Sequence, residues 1–218
     1  MTIKINKKTA FVFDLDDTLY NELDYLISAY IEIANRVDAK NEKLLFSVMF
    51  SLYRNNENVF EYLVKNYRVD KKELMTLYRN HFPKIKLQKG VKKLFKSILL
   101  KEAKIAIITD GRSSTQRNKL KALNILKYIS FVSISEEVGS EKPSLIPFKL
   151  IMDKLPSENY FYIADNFKKD FIAPNKLGWN TIGIIDEGKN IHPNSYLYQQ
   201  KENIPNHFVY KISQINIK

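Results

Sequence analysis

The chain has 218 residues, 44% hydrophobic and 27% charged, which is typical of a globular protein that buries a full core. It contains no cysteine, which excludes disulfides and thiolate chemistry and is compatible with the cytosol. The formal net charge of +11 admits anionic partners, but the lysines are scattered without a run of five, which favours a solvated basic surface over a nucleic-acid interface.

The first predicted element is a short buried strand, "TAFVFD", over residues 9–14. Because Asp14 breaks the apolar run, we expect no signal peptide, and no segment approaches the roughly 18 apolar residues of a membrane span. The expected location is therefore the cytoplasm, with no membrane partner.

Four helices are predicted after this strand. Apolar residues recur at helical spacing in 22–37, 43–55 and 58–67, and a fourth helix begins at Asp70 as N-cap, with Glu73 three residues on, and ends before Pro83. No strand pattern occurs between residues 20 and 88. We expect residues 20–88 to form an all-helical unit inserted after the first strand.

The pattern then alternates between helices and short apolar strands, which predicts an α/β fold with a parallel sheet covered on both faces. The core is expected to comprise residues 1–19 and 89–218. The predicted strands lie at 104–109, 131–134, 160–165, 181–185 and 208–210, and the predicted helices at 91–101, 115–125, 145–155 and just before Gly178.

Polar residues stand at the ends of these strands or in the following loops. They are Asp14, Asp16 and Thr18; Thr109, Asp110 and Gly111; Lys142; and Asp165 and Asp170. Because ligands bind beyond the carboxyl ends of parallel strands, these groups are expected to share one crevice. Converging carboxylates favour Mg²⁺, and a lysine there can keep one carboxylate ionised as a nucleophile while a second acts as acid and base.

Four stretches, "DLDDT", "ITDG", "EKP" and "ADNFKKD", resemble the four motifs of the haloacid dehalogenase superfamily, in order and over most of the chain. The resemblance implies a Rossmann-like three-layer core, a helical cap and Mg²⁺-dependent phosphoryl transfer through an aspartyl-phosphate. The implied catalytic residues are Asp14 as nucleophile, Asp16 as acid and base, Thr109 and Lys142. The implied metal ligands are Asp14, Asp16 through its carbonyl, Asp165 and Asp170, the last binding either directly or through its neighbours.

Substrate contacts are expected from Thr18, Asp110, Gly111 and Arg112, while Arg112 and Gln116 fit a solvated helix start equally well. The leading hypothesis is a phosphatase for a small phosphorylated metabolite, with a hint toward sugar phosphates. Alternatives are a nucleotidase or polynucleotide 3′-phosphatase, a phosphomutase or dehalogenase of the same fold, and a non-catalytic phosphate-binding module. The substrate and the oligomeric state stay open.

Overall fold

The computed structural model describes all residues, 1–218. The strands are β1 (Thr2–Ile3), β2 (Thr9–Phe13), β3 (Lys104–Thr109), β4 (Phe131–Ile134), β5 (Asn159–Ala164), β6 (Asn180–Ile184), β7 (His207–Val209) and β8 (Asn216–Ile217). The helices are α1 (Glu22–Val37), α2 (Glu42–Arg54), α3 (Val59–Tyr67), α4 (Lys71–Asn80), α5 (Val91–Leu99), α6 (Ser113–Ala122), α7 (Ser135–Val138), α8 (Ile146–Lys154) and α9 (Ile172–Lys176). None of these helices combines the length and the apolar character that a membrane crossing requires.

Six parallel strands form the main sheet, in the order β4-β3-β2-β5-β6-β7. The predicted α/β fold is confirmed. All five residues of β2 are buried, and they alternate between the two sides of the sheet: Phe11 and Phe13 pack into a cluster on one face, and Ala10 and Val12 into a cluster on the other. A strand that is apolar on both sides is typical of a sheet covered by helices on both faces.

Four helices, α1 to α4, lie between β2 and β3 and share a hydrophobic cluster of their own. The Asp70 side chain accepts a hydrogen bond from the backbone N–H of Glu73, as the N-cap pattern predicts. The chain leaves and rejoins the core at neighbouring points, since the N–H of Gln88 donates to the carbonyl of Leu19 over 2.8 Å. These features support our proposal that residues 20–88 form a cap on a core of residues 1–19 and 89–218.

The chain ends form an additional two-stranded sheet, in which β1 pairs with β8. As a result, the helical unit follows the second strand of the chain, because β1 precedes the strand predicted as the first. Two-residue strands are too short to show a periodic pattern, so the sequence gives no signal for this pair.

Candidate active site

The sheet order brings together the polar residues predicted at the strand ends. β2 lies between β3 and β5, and all three run parallel, so their carboxyl ends meet at one edge. Asp14 follows β2, Thr109 ends β3 and Asp165 follows β5. The backbone N–H of Asp14 continues the ladder by donating to the carbonyl of Ile163 over 2.9 Å.

Three carboxylates converge at this edge. Asp14, Asp165 and Asp170 place carboxylate oxygens within 4.8 Å of one another. Lys142 lies among them: its Nζ is 2.5 Å from Oδ1 of Asp14 and 2.6 Å from Oδ1 of Asp170. Asp170 is fully buried, and its Oδ2 accepts the backbone N–H of Asn166 over 2.9 Å.

Desolvation and mutual repulsion shape the charge of this cluster. Burial, together with the neighbouring carboxylates of Asp170 and Asp16, raises the pKa of Asp14 to about 7 although Lys142 opposes the shift. Desolvation and the charges of Asp14 and Asp170 raise the pKa of Asp165 well above its ordinary value. Burial disfavours a charged Lys142, but Asp14 and Asp170 outweigh it and raise its pKa. A cluster held in this way favours a bound cation.

The hydroxyl of Thr18 connects two of these acids. Its Oγ1 lies 3.1 Å from Oδ1 of Asp165 and 3.4 Å from Oδ2 of Asp14. The other oxygen of Asp165 accepts a hydrogen bond from the Asn190 amide over 2.8 Å. Thr18 therefore touches two carboxylates of the acidic cluster.

Asp16 has a different set of partners, although it lies only two residues from Asp14. Its Oδ1 accepts from the Nζ of Lys119 over 2.7 Å and from the hydroxyl of Tyr20, and its Oδ2 accepts from the Nε2 of Gln116 over 2.8 Å. Burial alone would raise the pKa of Asp16, but Lys119, Tyr20 and Gln116 outweigh it and hold that pKa below its ordinary value.

Asp17, the third acid of the turn, binds backbone N–H groups. It adopts a positive φ of 53°, and its carboxylate accepts hydrogen bonds from the N–H groups of Glu22 and Ile191, each over 2.8 Å. Asp17 thus connects the start of α1 to the loop after β6.

The loop after β3 forms a second wall of the site. Thr109 is buried, and its Oγ1 accepts from Gln116 over 2.9 Å. The carboxylate of Asp110 accepts hydrogen bonds from the backbone N–H of Lys142 over 3.1 Å and from the Nζ of Lys169 over 2.6 Å. Asp110 therefore fixes the backbone of the loop that carries Lys142.

Gly111 follows at a φ of +129°, which favours glycine, and a Cβ there would lie 3.2 Å from the amide nitrogen of Gln116. Arg112 is more than half exposed and pairs with Glu136 over 2.5 Å.

A cavity of about 370 Å³ opens between this loop, α6 and the helical unit. Asp16, Gln116 and Lys119 belong to its lining. The inserted unit contributes Tyr25, Phe60, Met75, Tyr78 and Arg79. The hydroxyl of Thr115 on α6 donates to the carbonyl of Arg79 over 2.7 Å, which joins the two sides. The cavity is therefore lined by the Asp16 carboxylate and by aromatic and basic groups of the inserted unit.

Several residues of this region were not predicted from the sequence, among them Tyr20, Arg79, Lys119 and Asn190. Two of them have a local signal: Tyr20 lies four residues after Asp16, and Lys119 lies three residues after Gln116 on the helix that follows "ITDG". Arg79 and Asn190 reach this region only because the chain folds back on itself, which a single sequence does not reveal.

Comparison with known proteins identifies a family to which this chain is similar. Residues 11–184 match the family model of the haloacid dehalogenase-like hydrolases. The glyceraldehyde 3-phosphate phosphatase of Methanocaldococcus jannaschii is 30% identical over 195 residues, which cover 80% of this chain and 83% of that protein. The enzyme of the same name from Methanopyrus kandleri is 28% identical over 193 residues, again 80% of this chain and 83% of the relative.

A solved structure has the same fold. The HAD-hydrolase YfnB from Bacillus subtilis, bound to magnesium, superimposes with a TM-score of 0.66 at 19% sequence identity. The match covers 94% of this chain and 96% of that one.

Proposed function

The chain belongs to the haloacid dehalogenase-like hydrolases and is a phosphatase of that family, and we propose that it hydrolyses a small sugar phosphate through an aspartyl-phosphate formed on Asp14. The main observation in support of this proposal is the cluster of charged side chains at the strand ends. In this cluster Lys142 contacts both Asp14 and Asp170, and Asp165 lies beside them. The names of the curated relatives support a sugar phosphate as substrate.

In the first half of the proposed reaction, a carboxylate oxygen of Asp14 attacks the phosphorus atom. Because the pKa of Asp16 lies below its ordinary value in this structure, Asp16 must take up a proton together with the incoming phosphate before it can act as an acid. The bond from phosphorus to the substrate oxygen then breaks, and Asp16 donates this proton to that oxygen, so the product leaves as an alcohol. Lys142, which also touches Asp14, and the hydroxyl of Thr109 at the end of β3 bind phosphoryl oxygens.

In the second half, a water molecule attacks the phosphorus of the aspartyl-phosphate. Asp16, now ionised, takes the proton of this water, and inorganic phosphate leaves as the Asp14 carboxylate is restored. Asp14 and Asp16 each have their own ammonium partner, Lys142 and Lys119 respectively, so the two carboxylates are held separately although they lie two residues apart.

The donor set fits a hard divalent cation, because all the converging groups are oxygens and three carboxylates oppose one ammonium. We propose Mg²⁺, held by Asp14, Asp165 and the carbonyl of Asp16. Asp170 would complete the site directly or by fixing Lys142, which it contacts over 2.6 Å. When bound, the ion supplies positive charge to the phosphoryl group.

The cavity beside Asp16 supports a small substrate. Its volume of about 370 Å³ lies near the lower end of the range for small-molecule sites, and helices of the inserted unit cover it. We propose that the sugar portion of the substrate occupies this cavity and that Arg112, Gly111 and Arg79 in its wall select the substrate. We also propose that the enzyme is cytoplasmic.

The test is phosphate release from a panel of sugar phosphates, nucleoside monophosphates, phosphoglycolate and a 3′-phosphorylated oligonucleotide, with Mg²⁺ and with EDTA. We expect Mg²⁺-dependent turnover of a few related sugar phosphates, which Asp14→Asn abolishes and the exposed control Asp153→Asn retains. Turnover of the oligonucleotide alone, or of no compound, would contradict the proposal.

A further inference from the structure

Only two lysines of the chain are buried, and no arginine is. Lys142 is 4% exposed and pairs with Asp14, and Lys119 is 3% exposed and pairs with Asp16. Taking an ammonium group out of water has a large desolvation cost unless the group is well paired. Lys142 has a role in the proposed reaction, whereas the burial of Lys119 is still unexplained.

Helix α6 presents Lys119 to the site together with Gln116. The two are three residues apart and therefore lie on the same face of the helix. The Nζ of Lys119 also lies 4.5 Å from the centre of the Tyr25 ring and 3.8 Å from Oε1 of Glu22, so the cation is enclosed on several sides.

The side-chain amide of Gln116 also has several polar contacts. Its Nε2 lies within hydrogen-bond distance of Asp16, of the Thr109 hydroxyl and of the carbonyl of Asp110, while its buried Oε1 has no partner. Gln116 therefore connects Asp16 to Thr109 and to the loop after β3.

The partners divide the two oxygens of Asp16 unequally. Oδ1 accepts from both Lys119 and Tyr20, so both of its acceptor positions are filled. Oδ2 accepts from Gln116 alone and keeps one acceptor position free. Asp16, Gln116 and Lys119 all line the cavity that we assign to the sugar portion.

We propose that Lys119 is the positioning residue for proton transfer by Asp16: it fixes Oδ1, so that Oδ2 carries the proton to and from the substrate oxygen. This inference rests on the phosphatase function proposed above. When the phosphorus–oxygen bond breaks, the proton passes from Oδ2 to the leaving oxygen, and Lys119 stabilises the resulting carboxylate. In the second half Oδ2 takes a proton from water, and Lys119 itself neither gains nor loses one.

The dependence on the leaving group tests this role. A sugar alkoxide needs a proton to leave, whereas 4-nitrophenolate leaves without one. The kcat/KM of Lys119→Met is measured for the best sugar phosphate of the panel and for 4-nitrophenyl phosphate, because kcat/KM reports the steps up to the first irreversible one. We expect a loss of about 10²-fold for the sugar phosphate and about threefold or less for the aryl phosphate.

Lys121→Met is the matched control, since Lys121 is exposed on the same helix, and it should leave both values unchanged. Lys119→Gln, which keeps a hydrogen-bond donor without the charge, is measured in the same way and keeps the test valid if circular dichroism shows that Lys119→Met does not fold; it should show the same preference for the aryl phosphate, with a smaller loss on the sugar phosphate. Equal losses on both substrates in the folded variants would overturn the positioning role.

The two proposals fail in different ways. If Asp14→Asn retains turnover, or the unaltered protein releases no phosphate, the phosphatase mechanism is wrong and the role of Lys119 falls with it. If Asp14→Asn is inactive but Lys119→Met loses both substrates equally, only the role of Lys119 is wrong.

Discussion

The Nζ atom of Lys142 lies 2.5 Å from Oδ1 of Asp14, which precedes it by 128 residues. The same ammonium contacts Asp170 over 2.6 Å, so one buried cation serves two buried carboxylates. With Asp165 included, three acids face one lysine. The excess of negative charge explains why the site fits a divalent cation, and it makes the stability of the metal-free protein depend on Lys142.

We expect Lys142→Met to destabilise the metal-free protein at pH 8 by about 3–5 kcal/mol, because it leaves buried carboxylates without a partner. The folded pKa of Asp14, about 7, lies above its unfolded value, so stability from this group is present at low pH and is lost as the pH rises through 7. Removing the lysine raises that pKa further, and the loss should therefore be smaller at pH 5.

Urea unfolding in EDTA, followed by the fluorescence of the single tryptophan, Trp179, measures both values. Lys154→Met, at an exposed position of α8, is the control. A loss at pH 5 that equals the loss at pH 8 would show that the charge of the acids is not the cause.

Asp14→Asn should keep the fold and lower turnover by on the order of 10⁴-fold or more, as expected when a covalent nucleophile is removed. Asparagine has nearly the same shape and keeps an oxygen toward Lys142. The variant should also fail to accumulate a phosphorylated protein when the reaction is quenched in acid, which mass spectrometry detects. Turnover within tenfold of the unaltered protein would contradict the nucleophile assignment.

Much of the fold and part of the site follow from local sequence patterns. Buried strands such as β2 are short apolar runs, and the acids stand directly at their ends, so Asp14, Thr109 and Asp165 could be assigned to one edge before the structure was known. The cap pattern at Asp70 and Glu73 is equally local. These predictions need only neighbouring residues and the general rule that parallel strands end on the same side.

The two partners of Asp16 on α6 could not be predicted because their role depends on distant contacts. Helix α6 is rich in polar residues, and in a sequence such a helix is assigned to solvent. Here two of its polar residues, Gln116 and Lys119, are buried, and Lys119 meets an aspartate that lies 103 residues earlier. The helix also begins at Ser113 and ends at Ala122, two and three residues before the predicted bounds, since Asn124 takes a positive φ of 52°.

The affinity for Mg²⁺ should rise with pH between 6 and 8. Desolvation raises the pKa of Asp14 to about 7 and that of Asp165 well above its usual range, and both groups must lose protons to bind a cation. Linkage predicts a gain of about tenfold per pH unit for each proton released.

Isothermal titration calorimetry in two buffers with different ionisation enthalpies counts these protons directly. Asp165→Asn should weaken binding and reduce the number released. An affinity for Mg²⁺ that is the same at pH 6 and pH 8 would show that the acids are already ionised in the metal-free protein.

Arg79 should select substrates that carry a second anionic group. It is half-buried in the wall of the cavity, and no carboxylate pairs with its guanidinium. A hydrogen bond to a charged group contributes about 1.5–3 kcal/mol, so Arg79→Gln should raise KM by about tenfold or more for sugar bisphosphates or phosphorylated acids. Substrates with an uncharged sugar portion should change by less than about threefold, because they offer the guanidinium no charge.

The measurement compares KM and kcat for such pairs among the compounds that the protein hydrolyses, with Arg54→Gln at the exposed end of α2 as the control. Since Arg79 is not among the groups that bind Asp14 or Asp16, kcat should stay within about twofold for both classes, as expected for a group that binds substrate and transition state equally. An equal rise in KM for charged and uncharged substrates would assign Arg79 to the shape of the cavity, and a fall in kcat alone would place it near the reacting atoms.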